Sequence, residues 1–190
     1  MQTIVVAGAG MAGLTTAEAL REAGFDGTIT LVGEEVHRPY ERPPLSKEVL
    51  TGKGSGRGVW LRTEAELDAL DLDLRPGVRA VALHPAERSV ALSDGTSVTA
   101  DGVVVATGAR ARRPATDLPG VHVLRTLDDA EAIRADLLRH GRVAVVGAGF
   151  VGAEVAASAR ALGADVTLLE AADTPLTRVV DPRIGAVLSE

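Results

Sequence analysis

The spacing of apolar positions changes several times along the chain, and each change marks an element. Ile4 to Ala7 is an unbroken apolar run closed by Gly8, Gly10 and Gly13. Beyond it Leu14, Ala17, Leu20 and Ala23 recur at helical spacing up to Gly24, and Thr28 to Val32 is a second strand-like run. Strand, glycine turn, helix and strand in that order make a βαβ unit, whose crossover sets its two strands parallel. The same order returns as Val143 to Val146, then Gly147, Gly149 and Gly152, a helix through Gly163, and a strand from Val166 to Leu169. Gly147 follows Gly8 by 139 positions, and at that offset Ala17 meets Ala156, Arg21 meets Arg160 and Gly24 meets Gly163. The chain carries two copies of one unit.

Between the copies lie a proline-rich loop, Arg38 to Pro44, and a helix expected over Thr63 to Leu70. Short alternating strands follow at Val78 to Leu83, Ser89 to Leu92 and Ser97 to Ala100, with Asp94-Gly95 as a hairpin turn. They read as a small antiparallel excursion over about 76–101. Val103 to Ala106 is a fully apolar strand ending in Thr107-Gly108, and the Arg- and Pro-rich stretch Arg110 to Pro119 reads as a crossing between domains. The expected class is α/β with two Rossmann-like units.

Composition narrows the chemistry. Of 190 residues, 46% are hydrophobic and 24% charged, which suits a packed globular chain. Aromatics are only 2%, which removes the usual stacking platforms for single-stranded nucleic acid, and a net charge of −6 repels phosphate backbones. The absence of cysteine excludes disulfides, thiolate metal sites and a redox dithiol within these residues, and the four histidines show no ligand spacing. No metal is expected. Val143 to Ala159 is the most apolar stretch, but its three glycines and Glu154 argue against a membrane span. Without a basic start and cleavage site before Ile4, a cytoplasmic setting is the expectation.

In each glycine turn the first glycine permits the tight turn, the second admits a pyrophosphate to the backbone, and the third allows helix and strand to pack closely. The helix N-terminus then offers unpaired N–H groups to phosphate. Such a turn alone is weak evidence, but an acid closes each second strand: Glu34 lies 21 positions after Gly13, and Glu170 lies 18 after Gly152. Both fall near the ~20 expected of a carboxylate that accepts from an adenosine ribose. Two dinucleotides on one chain suggest a relay from a nicotinamide to a flavin. The GKGS run within Thr51 to Gly56 lacks the order of a phosphate loop, and Ser55 lacks the surroundings of a nucleophile elbow.

Three strings make the reading specific: RPYERPPLSKEVLTGK at 38–53, VVVATGARARRP at 103–114 and VVGAGFVGAEVAA at 145–157. Together they resemble the N-terminal half of the FAD-dependent NAD(P)H:ferredoxin reductases of the putidaredoxin-reductase and dioxygenase-reductase type, within the pyridine nucleotide-disulfide oxidoreductase superfamily. The resemblance implies an FAD-binding domain over 1–110 and an NAD(P)-binding domain over 111–190, both incomplete at their C-terminal sides. It implies that Gly8, Gly10, Ala12, Gly13 and Glu34 hold the ADP part of FAD, with Arg42, Lys47, Ala80 and Arg125 along the flavin or its phosphates. Ala106, Thr107 and Gly108 would lie near that cofactor, and Gly147, Gly149, Val151, Gly152 and Glu170 would hold NADH, in preference to NADPH.

By the same resemblance Lys47 and Glu154 form a catalytic pair across two domains, beside the flavin N5. The plain alternatives are a solvated loop lysine and a helix N-terminal acid favoured by the helix dipole. The implied partner is a ferredoxin-type iron–sulfur protein, for which Arg110, Arg112 and Arg113 offer a small docking patch or simply a solvated charge run. Other flavoprotein reductases, of the nitrite reductase or monodehydroascorbate reductase kind, are built on the same halves, as is a non-catalytic nucleotide sensor like apoptosis-inducing factor. Because the family continues for roughly as many residues again, these 190 residues alone are expected to bind FAD weakly and not to turn over.

Overall fold

The computed structural model describes residues 2–53, 59–116, 118–177 and 179–188; Ser55 of the rejected phosphate-loop reading and Glu190 lie outside them. Packing divides the chain into two units, one of residues 1–41 and 59–110, the other of 42–58 and 111–190.

The first unit opens with β1 (Thr3–Ala7), α1 (Met11–Glu22) and β2 (Thr28–Gly33). The β-branched run Ile4-Val5-Val6 favours extended backbone, and alternate side chains leave a strand on opposite faces. Ile4 and Val6 pack with Ala17 of α1 and with Ile29 and Leu31 of β2. Val5 and Val32 face the other way, onto Val90, Leu92 and Ala100. A strand covered on both faces has no need to alternate with polar residues, which is why it reads as continuous hydrophobe.

In the second unit α2 (Glu48–Thr51) follows a single 3-10 turn, Pro43–Ser46, while α3 (Glu64–Asp68) belongs to the first. The first unit continues with β3 (Leu72–Pro76), β4 (Ala80–His84), β5 (Ser89–Leu92), β6 (Ser97–Thr99) and β7 (Gly102–Val105). Four of its strands form a parallel sheet in the order β3-β2-β1-β7, and β4-β5-β6 form an antiparallel sheet over the Val5 face. Helix, parallel sheet and antiparallel sheet thus make three layers.

Strand β3 is absent from the sequence expectation. Its alternating Leu72-Asp73-Leu74-Arg75 pattern ends in Pro76, and its charges are used locally: Asp73 accepts from the buried Thr30 hydroxyl at 3.0 Å and from Arg75. The duplicated arginines share one bond in both copies. Arg21 donates to the Phe25 carbonyl at 2.8 Å and Arg160 to that of Ala164 at 3.0 Å, residues that correspond at the 139-position offset.

The second unit adds α4 (Leu127–His140), β8 (Arg142–Val146), α5 (Phe150–Ala161), β9 (Asp165–Leu169) and α6 (Pro182–Val187). β8 and β9 pair in parallel. Helix α4 also goes beyond the sequence expectation. The Thr126 hydroxyl accepts from the Asp129 N–H while the Asp129 carboxylate accepts from the Thr126 N–H, and Gly141 (φ 64°) closes the far end. Its buried stripe, Leu127, Ala130, Ile133 and Leu137, contributes Ile133 and Leu137 to a core with Val155, Ala159 and Ala164. Leu50 of α2, fully buried, joins that core, so 42–53 packs with the second unit although it lies within the span 1–110. Among the described residues no helix is long and apolar enough to cross a membrane.

Replacing Thr126 with alanine removes one half of the reciprocal cap of α4 and is expected to cost about 1 kcal/mol, read as a lower urea midpoint, with Thr126→Ser close to the parent.

Candidate functional site

Both glycine turns have the same geometry. Gly8 and Gly147 take φ of +120° and +100°, a region costly for any residue with a Cβ. The third glycines press on the first: a Cβ on Gly13 would stand 1.8 Å from the Gly8 oxygen, and one on Gly152 would stand 1.9 Å from that of Gly147. The middle glycines, Gly10 and Gly149, cap α1 and α5 without a side-chain hydrogen bond, and an added Cβ there would meet nothing within 4 Å. Each helix therefore starts against its strand with first-turn amides beside open space, a cradle suited to a pyrophosphate. Ala12 and Val151 are exposed on those first turns. Behind the first turn runs the end of β7: a Cβ on Gly8 would lie 2.1 Å from the Ala106 oxygen, with Thr107 and Gly108 following.

The two strand-end acids are held differently. Glu34, just after β2, lies with its two oxygens 2.9 and 2.8 Å from Arg110 Nη2, and Arg79 stands 3.8 Å away. Glu170, just after β9, accepts backbone N–H bonds instead, from Ala148 at 2.7 Å, Ala171 at 2.8 Å and Ala172 at 3.0 Å. Arg110 is therefore paired rather than part of a free cationic patch, and Arg113 stands 3.8 Å from Asp129. Ala80 begins β4 and is half-buried.

Lys47 and Glu154 meet. Lys47 Nζ lies 2.7 Å from Glu154 Oε2, which also accepts from the Ser46 hydroxyl at 2.6 Å. The Lys47 bond first, and then the Ser46 bond, hold the Glu154 carboxyl below the usual carboxylate range against the opposing effect of burial. Both residues fall in the second of the two packed units. The 3-10 turn and α2 present Lys47, and the first turns of α5 present Glu154. Nearby, the Arg42 guanidinium donates to the Arg125 carbonyl, and the Arg125 N–H donates to Asp129 at 3.0 Å.

Sequence reasoning passed over Ser46, which is 4% exposed, and Ser158, which is 8% exposed. Their signal was available only as polar residues set among apolar ones. A concavity lined by Gln2, Arg21, Asp26, Thr28, Asp71 and Asp73 lies at the opposite ends of the first-unit strands from the glycine turn. Ligands of such sheets bind outside the carboxyl ends, so it is set aside as the site.

The Lys47–Glu154 interaction stabilises the fold fully above the carboxylate range and loses that contribution as pH falls through the lowered value of Glu154. The gap in urea midpoint between the parent and Lys47→Met is thus expected to be widest near neutrality and to close in acid. A gap independent of pH would count against it.

A protein-family model described as pyridine nucleotide-disulphide oxidoreductase matches residues 2–190. The ferredoxin–NAD(+) reductase component of the p-cumate 2,3-dioxygenase system of Pseudomonas putida is 46% identical over 188 residues, 97% of this chain and 46% of that protein. Putidaredoxin reductase of Pseudomonas putida is 39% identical over 190 residues, 96% of this chain and 45% of that protein. Among solved structures, a ferredoxin reductase from Rhodopseudomonas palustris superposes with a TM-score of 0.92 at 38% identity, covering 100% of this chain and 47% of that one. The covalent putidaredoxin reductase–putidaredoxin complex gives 0.90 at 38% identity, covering 99% and 46%. The chain spans about half the length of the curated relatives it matches. On the family match, which runs through both glycine turns, the chain belongs to the pyridine nucleotide-disulphide oxidoreductase family.

Proposed function

We propose that the full-length protein is an FAD-dependent ferredoxin reductase that takes electrons from NADH and passes them to a ferredoxin-type iron–sulfur protein. The observation that carries this reading is the 2.7 Å Lys47–Glu154 ion pair on the PPLSK loop; the names of the relatives support it. In this reading 1–110 supplies the FAD-binding part and 111–190 the NADH-binding part. The α1 amides, with Gly8, Gly10, Ala12 and Gly13, take the FAD pyrophosphate, Glu34 takes its ribose, and Ala80, Ala106, Thr107, Gly108, Arg42 and Arg125 line the rest. Gly147, Gly149, Val151, Gly152 and Glu170 do the same for NADH.

When bound, FAD supplies a carrier that accepts an electron pair and releases electrons singly. Lys47 provides a compact positive charge where negative charge develops, and Glu154 fixes the ammonium in place. Lys47→Met in the full-length protein is expected to slow flavin reduction by NADH on the order of a hundredfold with FAD content retained. Loss of FAD in proportion to activity would instead assign Lys47 to cofactor binding. Steady NADH-driven reduction of a ferredoxin or of cytochrome c tests the reading as a whole, since a nucleotide sensor would bind both cofactors without turnover.

Coenzyme preference follows from Glu170. Its carboxylate, already fixed by backbone amides, suits a ribose 2′-hydroxyl and faces a 2′-phosphate with like charge. NADH is therefore expected to give the higher kcat/KM, and Glu170→Gln to narrow the ratio. Equal or better use of NADPH by the parent would refute the assignment of Glu170.

A further inference from the structure

The Lys47–Glu154 pair rests on two serines that neither the glycine turns nor the proposed reaction accounts for. Ser46 is 4% exposed, and its hydroxyl stands 2.6 Å from Glu154 Oε2, the same oxygen that Lys47 contacts. The other acceptor within reach, the Pro43 carbonyl, is 3.4 Å away, so the single hydroxyl proton belongs to the carboxylate. Ser158, 8% exposed and one turn beyond Glu154 on α5, donates at 2.6 Å to the backbone carbonyl of Ser46. Two short bonds therefore run in opposite directions between the same segments, from loop to helix through Ser46 and from helix to loop through Ser158. Each satisfies a buried hydroxyl that would be costly to leave unpaired.

We infer that Ser46 is a positioning residue for the Lys47–Glu154 pair, holding Glu154 as an oriented anion, and that Ser158 anchors Ser46 in the register this requires. The inference rests on the proposed function for its catalytic meaning but on this chain's own geometry for its substance. The lysine side chain is 45% exposed and that of Glu154 34%, so neither is fixed by packing alone. A hydroxyl proton donated to Oε2 favours the charged carboxyl, as a hydrogen bond to the ionised form must. Among the described residues, Lys47 is the charged group whose field favours the Glu154 carboxylate.

The test uses the full-length flavin-loaded protein as parent, Ser46→Ala, Ser46→Thr and Ser158→Ala. Glutamate carboxyls labelled with carbon-13 are followed by infrared spectroscopy as pH is lowered, and Glu154→Gln identifies the band. Titration of Glu154 is expected to move upward in Ser46→Ala by about 0.5–1 pH unit, as loss of one donor to a carboxylate should do. It should return in Ser46→Thr and move by less in Ser158→Ala. The acid limb of NADH-driven flavin reduction should shift with it. If Ser46→Ala does not fold, Ser46→Cys, of similar volume and a weak donor, gives the same comparison. A Glu154 titration unchanged in the variant that lacks the hydroxyl would overturn the inference even if activity fell. A titration that moves in a protein whose flavin NADH does not reduce would keep the serine clamp and discard the reductase reading.

Discussion

The close approach of a helix to the strand before it governs both glycine turns. A Cβ at Gly13 or Gly152 would sit within 2 Å of a backbone oxygen, so the start of α1 lies nearer to the end of β1, and that of α5 nearer to the end of β8, than any other residue type permits. With that contact made, the first-turn amides have one open side, and the chain's return along the sheet brings an acid to the same rim. The two contacts are made independently, in separate units, from the same sequence spacing. The matching bonds of Arg21 and Arg160 show that the likeness extends past the turn to the far end of each helix.

A second constraint acts on the loop that carries Lys47. Leu50 is completely buried among side chains of α4 and α5, and Ser46 is held from both sides. Two anchors within one short segment, Leu50 apolar and Ser46 polar, leave Lys47 mainly its side-chain torsions to adjust. Chemistry that depends on a long, flexible cation is thereby given a rigid base, and the entropy of ordering it falls mainly on the four-carbon stem.

What could be read in advance was what is local. The glycine spacings, the strand before each and the acid after it lie within about thirty residues, and their geometry is set by backbone sterics that the residue types reveal. Strand β3 escaped because Asp73 and Arg75 satisfy each other on a sheet edge, where alternation resembles loop polarity. Helix α4 escaped although Thr126, Asp129 and Gly141 mark both its ends, since its apolar stripe from Leu127 to Leu137 is narrow and thickly interleaved with charged residues. That Lys47 and Glu154 belong to one unit was not legible, because it depends on where Leu50 is buried, a long-range preference that no spacing encodes. Ser46 and Ser158 share that obstacle: a serine looks the same in sequence whether its hydroxyl meets a carboxylate, a carbonyl or water.

The unlike settings of Glu34 and Glu170 bear on how the two turns can diverge. At the first, the acid is balanced by the side chain of Arg110, so a change at position 34 ends that contact and returns an exposed guanidinium to water. At the second, three donors to Glu170 are main-chain amides, which a substitution at 170 leaves in place. A different acceptor placed at 170 inherits the same ready-made set of donors. A new side chain at 170 thus meets donors already in place, whereas one at 34 meets only a mobile side chain, although the glycine geometry of the two turns is alike.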